Sequence, residues 1–164
     1  MDMRILRTLK VSILILAASC IYSFKGFTAG KVYSVFLDTF KNTSERTGIE
    51  IDVTKIVTDY FDSDARIKLV SEKDSEYLIY TTISGYRNEP YQYDPDGTVL
   101  SYRVVLMSYV SITEKSSGKK IREDKLITGW GSYSAAERED EGLQRAANDL
   151  GMKILQEFIS SVSQ

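Results

Sequence analysis

The sequence contains no histidine. That absence removes Ser-His and Cys-His nucleophile pairs, and the commonest metal ligand, at one stroke. Cysteine occurs once, at position 20, so no intramolecular disulfide can form and a hydrophobic core alone must hold the domain. Excess positive charge is missing too: 21 Lys and Arg stand against 23 Asp and Glu. A general nucleic-acid binder needs a basic balance, so no nucleic-acid partner is expected. Paired carboxylates would still permit hydrolase chemistry without histidine. No such pair stands out. The acidic run Glu137, Glu139, Asp140 and Glu141 reads as the solvated start of a helix, where acids complement the helix dipole. The expectation is therefore a protein with no catalytic residues, no metal site, no cofactor and no enzymatic turnover.

A long apolar run is also lacking. The longest candidate, Val11 to Ala18, is less than half of the roughly 20 residues a spanning helix needs. It follows the basic residues Arg4, Arg7 and Lys10 and leads through Leu16-Ala17-Ala18-Ser19 to Cys20. Cationic start, short apolar centre and small residues make up a secretory signal. Small residues directly before a lone cysteine resemble a bacterial lipobox, in which that thiol is acylated before cleavage. An ordinary signal peptide that happens to contain a cysteine is the alternative. The expected division is a signal peptide over 1–19, a lipidated Cys20 with its tether over 20–30, and one domain over 31–164. The signal holds three of the 21 basic and one of the 23 acidic residues, leaving 18 against 22 and a formal charge of −4.

Lys31 to Thr39 reads as a strand rich in Val, Tyr and Phe, and residues 40–44 as a polar loop. Residues 45–62 carry two patterns. Ile49, Ile51 and Val53 alternate like a strand, whereas Ile49, Val53, Ile56, Val57, Tyr60 and Phe61 share one helical stripe. The stripe lasts longer, and a helix is predicted. Ile67 to Val70 is a short strand candidate. Strands follow at 77–87, 99–113 and 120–133 as an antiparallel meander, with a polar, Pro-containing loop over 88–97 ending in the turn signal Asp96-Gly97. Ser116-Ser117-Gly118 marks the next turn. Ile121, Leu126, Ile127 and Trp130 are available to a core from the last strand. Leu143, Ala147, Leu150, Ile154, Phe158 and Val162 then recur at helical spacing, with Ser132 or Ser134 as N-cap. Gly151 within that helix marks either a close approach to the sheet or simple tolerance.

The predicted fold class is α/β in the α+β sense. Two helices pack on one face of a mostly antiparallel, mixed four-stranded sheet, in the order β-α-β-β-β-α. Strand 99–113 places Tyr102, Val104, Leu106, Ser108, Val110 and Ile112 on one face, and Ser101, Arg103, Val105, Met107, Tyr109 and Ser111 on the other. Neither set is polar, so the face without helices should also be covered, by a partner or an apolar ligand.

Several soft motifs occur in a definite order. Met1 to Cys20 precedes Ile21-Tyr22-Ser23-Phe24-Lys25-Gly26. Thr54 and Phe61 follow, then Ile83-Ser84-Gly85-Tyr86-Arg87-Asn88-Glu89-Pro90-Tyr91-Gln92-Tyr93-Asp94, Gly97, Tyr102-Arg103-Val104 and Ser117-Gly118-Lys119. Together they resemble the LptE family of lipopolysaccharide-assembly lipoproteins. The resemblance implies a lipid anchor at Cys20 on the inner leaflet of the outer membrane. It implies a position as plug and assembly partner inside an LptD-type β-barrel, and contact with lipopolysaccharide. Candidate partner contacts are Tyr86, Asn88, Tyr91 and Tyr93, since Tyr is enriched at interface centres; local loop packing is the alternative. The hairpin tip around Asp94 and Asp96 is acidic and reads as a turn, without calcium-loop spacing. Candidate lipopolysaccharide contacts are therefore the cations Arg87, Arg103, Lys119, Lys120, Arg122 and Lys125; solvated edge charges that discourage strand pairing are the alternative, and the favoured one for any single residue. A stand-alone envelope lipoprotein that binds a lipid or glycan is the competing function.

Overall fold

The computed structural model describes residues 31–163. The signal segment, Cys20 and the tether lie outside the described residues. Strands β1 (Tyr33–Leu37) and β2 (Lys41–Asn42) precede helix α1 (Ile49–Asp62). Strand β3 (Ile67–Leu69), a 3₁₀ turn (Glu72–Asp74), β4 (Tyr77–Tyr93), β5 (Val99–Glu114), β6 (Lys119–Ser134) and helix α2 (Glu139–Val162) complete the chain. The two helices cover one face of a mixed sheet, as the sequence pattern requires.

That sheet has six strands rather than four, in the order β3-β1-β4-β5-β6, with β2 beside β4. One of the two added strands, β3, is the short strand candidate at Ile67 to Val70, which the four-strand count left out; the other, β2, has two residues and is too short for a periodic signal. β1 and β2 pair in parallel with successive stretches of β4, at Tyr77–Ile79 and Thr82–Ile83. β4, β5 and β6 form the antiparallel meander. Its two turns carry Gly97 at φ 85° and Gly118 at φ 68°, a region that side chains with a Cβ resist. Asp94 organises the first turn by accepting the backbone N–H groups of Asp96 and Thr98.

α1 resolves the ambiguity of residues 45–62. Ile49, Val53, Val57 and Phe61 are buried on its inner stripe, while Ile51, which a strand would have buried, is 70% exposed. Thr54 ties this helix to the sheet. Its hydroxyl donates to the Glu50 carbonyl and accepts the Phe40 N–H at the bend between β1 and β2. α2 buries Ala147, Leu150, Ile154 and Phe158, and Phe158 meets Tyr33 and Tyr77 edge-on at 5.6 and 5.3 Å.

Four local expectations are corrected. Residues 88–93 continue β4 in place of a loop, because β5 offers partners as far as Val99. Leu126 and Trp130 do not join the core, since the parity of β6 turns Ile127 and Tyr133 inward instead. Neither Ser132 nor Ser134 caps α2: both end β6, the cap position is Arg138, and Glu137 accepts the Ser134 N–H. Gly151 faces Val57 and Tyr60 of α1 at ordinary contact distance, not the sheet.

α2 lies directly on β6 because the inward positions there are Gly129 and Gly131. A Cβ on Gly131 would sit 2.4 Å from the Arg145 side chain and 2.6 Å from the Ala146 nitrogen. Among the described residues, no helix is long and apolar enough to cross a membrane.

Candidate functional site

The face of the sheet opposite the helices is the candidate site. Strand alternation sends every second residue of β4, β5 and β6 there. Tyr80, Tyr91, Tyr109, Leu126 and Trp130 all expose large apolar area on it. Phe36 of β1 extends the patch, meeting Tyr80 at 6.5 Å. Val105, cross-strand partner of Trp130, is buried although no helix covers it. Contiguous apolar area of this kind marks an interaction surface.

A β-bulge divides the predicted contact residues between the two faces. Before Ser84 the odd residues of β4 point to the helices; the register shift between Ile83 and Gly85 reverses that phase. Tyr86 and Asn88 therefore turn to the helix side. The Tyr86 hydroxyl donates to Glu139 at 2.5 Å, and the Asn88 amide donates to the Tyr133 hydroxyl at 2.8 Å. Burial first, and the Glu139 bond second, push the Tyr86 phenol well above its usual range. The same phase carries Tyr91 to the open face, at the second irregularity between Pro90 and Gln92. Tyr93 is exposed near the hairpin tip. The structure thus places Tyr91 and Tyr93 at solvent, uses Tyr86 to hold the start of α2 and ties Asn88 to Tyr133 of β6.

The six candidate cations fall into two groups. Arg87 and Arg103 stand on the open face toward the hairpin tip, while Lys119, Lys120, Arg122 and Lys125 lie toward the β5–β6 turn. Lys120 pairs with Thr113, ten residues along β5 from Arg103, which is roughly 30 Å at strand spacing. Arg103 donates to Glu89 at 2.5 Å. Arg122 and Lys125 each reach Glu157 at 2.5 Å, and Lys120 pairs with Glu123. The Lys125 bond, followed by that of Arg122, holds the Glu157 carboxyl below its usual range despite partial burial. Arg87 and Lys119 make no ion pair among the described residues.

The cleft between β6 and α2, about 460 Å³, has Lys125, Lys153 and Glu157 in its lining. Lys153 is already engaged there by Asp149 and the Thr128 carbonyl. Among the described residues, no group of three or more His, Cys, Asp and Glu could hold a metal ion. The sequence pattern assigns Tyr109 to this face and Trp130 to the core, and gives Glu89 and Tyr80 no role. The Gly-Trp-Gly of 129–131 carried the signal, since glycines under a helix leave the intervening residue pointing outward.

The fold and this face define a two-layer α+β domain with an apolar, helix-free sheet surface. The chain matches the family model for lipopolysaccharide assembly, LptE, over residues 33–158. It belongs to that family. No curated protein sequence matches it. Among solved structures it is similar to a protein of Xanthomonas campestris, with TM-score 0.58 and 10% identity over 81% of this chain and 87% of that one. It is also similar to rare lipoprotein B of Shewanella oneidensis, with TM-score 0.50 and 14% identity over 77% and 97%. A third likeness is to PelC of Paraburkholderia phytofirmans, a dodecamer, with TM-score 0.50 and 14% identity over 77% and 88%. At these identities the likenesses show the fold alone.

Proposed function

We propose that this protein is the lipid-anchored partner of an LptD-type β-barrel, seated in the barrel as plug and assembly factor for lipopolysaccharide delivery to the outer leaflet. The family match over most of the chain supports this reading. The observation that carries it is the open sheet face, where Tyr80, Tyr109 and Leu126 expose apolar area that a monomer in water would hide. Acylation of Cys20 would hold the domain at the periplasmic side of the outer membrane and raise its concentration near the barrel; affinity would come from the protein surface. The protein would work by binding, without turnover, in keeping with a sequence that has no histidine.

The test is pull-down of the full chain after mild detergent extraction. Co-purification of an outer-membrane β-barrel is expected, and Cys20→Ala should impair localisation more than binding. Recovery of the protein alone would overturn the barrel reading and favour a stand-alone lipoprotein that binds lipid or glycan.

A further inference from the structure

Three strands bring aromatic and charged groups together at the tip end of the open face. Tyr91 of β4 and Trp130 of β6 lie 6.3 Å apart at 47°. Both are near half exposed, at 43% and 47%. Between them β5 supplies Arg103, whose guanidinium carbon is 5.1 Å from the centre of the Tyr91 ring. Glu89 accepts from that guanidinium at 2.5 Å, and the Arg103 Nε is buried without a hydrogen-bond partner.

We infer that Tyr91, Trp130, Arg103 and Glu89 form a saccharide platform that takes one uncharged hexose ring. The inference rests on the lipopolysaccharide-assembly reading and narrows the contact to the sugar portion of the ligand. The local charge balance selects among the chemistries such a ligand offers. A phosphate would need an uncompensated cation; within the cluster Glu89 already neutralises Arg103, and the unpaired cation nearby, Arg87 opposite Val105, lies outside the aromatic pair. An acyl chain would desolvate that ion pair and return no hydrogen bonds, a net cost. A hexose presents an apolar C–H face to an aromatic ring and a rim of hydroxyls to a guanidinium and a carboxylate. Both requirements are met within this one cluster. The platform is also preorganised. Asp149 holds the Trp130 N–H at 2.9 Å, and Gly129 and Gly131 fasten the strand beneath α2.

Trp130 is the only tryptophan, so its fluorescence reads the site directly. The full chain in detergent is titrated with a deacylated, dephosphorylated core oligosaccharide. A saturable change in Trp130 emission is expected. Tyr91→Ala should weaken it about tenfold, the scale of one aromatic contact, and Tyr91→Leu should do the same while keeping apolar area at the position. Ile51→Ala, exposed on the outer side of α1, should leave it unchanged. Absence of a saturable change would overturn the inference. So would binding that survives both Tyr91 variants, or that appears only with the phosphorylated oligosaccharide or only with the acylated portion. Loss of sugar binding with the barrel still co-purifying would remove the platform and leave the barrel reading intact.

Discussion

The Asp149 carboxylate accepts the backbone N–H of Trp130 at 2.9 Å. This bond is one rung of a ladder that covers the outer edge of β6. Lys153 donates to the Thr128 carbonyl, Arg145 to the Ser132 carbonyl, and Glu137 accepts the Ser134 N–H. The spacing has a geometric origin. One step of four residues along a helix rises about 6 Å, close to the 6.6 Å of two strand residues, so 145, 149 and 153 track 132, 130 and 128. The 128–134 part of this sixteen-residue edge strand is thereby closed to further pairing.

Removing the central rung should expose that edge. Asp149→Ala is expected to lower stability by about 1 kcal/mol, the net worth of one hydrogen bond, and to cause concentration-dependent self-association. Asp149→Asn keeps an acceptor and should remain monomeric. Urea unfolding and light scattering read the two effects. An Asp149→Ala protein as stable and as monomeric as the parent would show that the ladder contributes nothing.

Two glycines should respond in opposite directions. Gly131→Ala places a Cβ against the α2 backbone and should cost about 1–3 kcal/mol, as overpacking does. Gly151→Ala meets Val57 and Tyr60 at 3.5 Å, an ordinary contact. It should gain up to about 1 kcal/mol of helix propensity. The expected order of melting temperature is Gly151→Ala above the parent and Gly131→Ala below it; the reverse order would contradict the packing described.

Acid should loosen the contacts that α2 and its lead-in make with β6. The hydrogen bond from Arg145, with the Ser134 N–H, lowers Glu137 from its ordinary 4.5 to about 2. Glu157 is lowered chiefly by Lys125. Both folded-state values are depressed, so their contribution is complete above the unfolded value and is lost as pH falls from 4.5 toward 2. Urea midpoints should hold steady from pH 7 to about 5 and then decline, with a shallower decline in Glu157→Gln. Stability that rises between pH 4 and 3 would refute the assignment.

Ser108 is buried in the helix-side layer with an unpartnered hydroxyl, opposite Ile83 and Ile127. Ser108→Ala should be neutral or stabilising by up to about 1 kcal/mol, because it removes a desolvated polar group. A loss above about 2 kcal/mol in urea unfolding would mean that the hydroxyl has a partner in solution.

Local pattern alone determined the type of the two helices and of the central strands, though not the extension of β4 over 88–93. The stripe from Leu143 to Val162, the alternation of 99–113 and the glycine-bearing turns each specify structure through neighbours a few residues apart. The helix-free apolar face was also legible there, because neither side of β5 is polar. Other features depended on register between distant segments. β2 exists only as a partner of β4, and the strand candidate at β3 acquires its place in the sheet only beside β1. The bulge at Ser84 decides that Tyr86 serves α2 while Tyr91 serves the open face, and alternation read along the chain cannot register a skipped residue. The pairing of Arg103 with Glu89 beside Tyr91 and Trp130 draws on three strands. Periodicity reports which face a residue occupies relative to its sequence neighbours; tertiary pairing decides which residues meet across strands, and the site is made of such meetings.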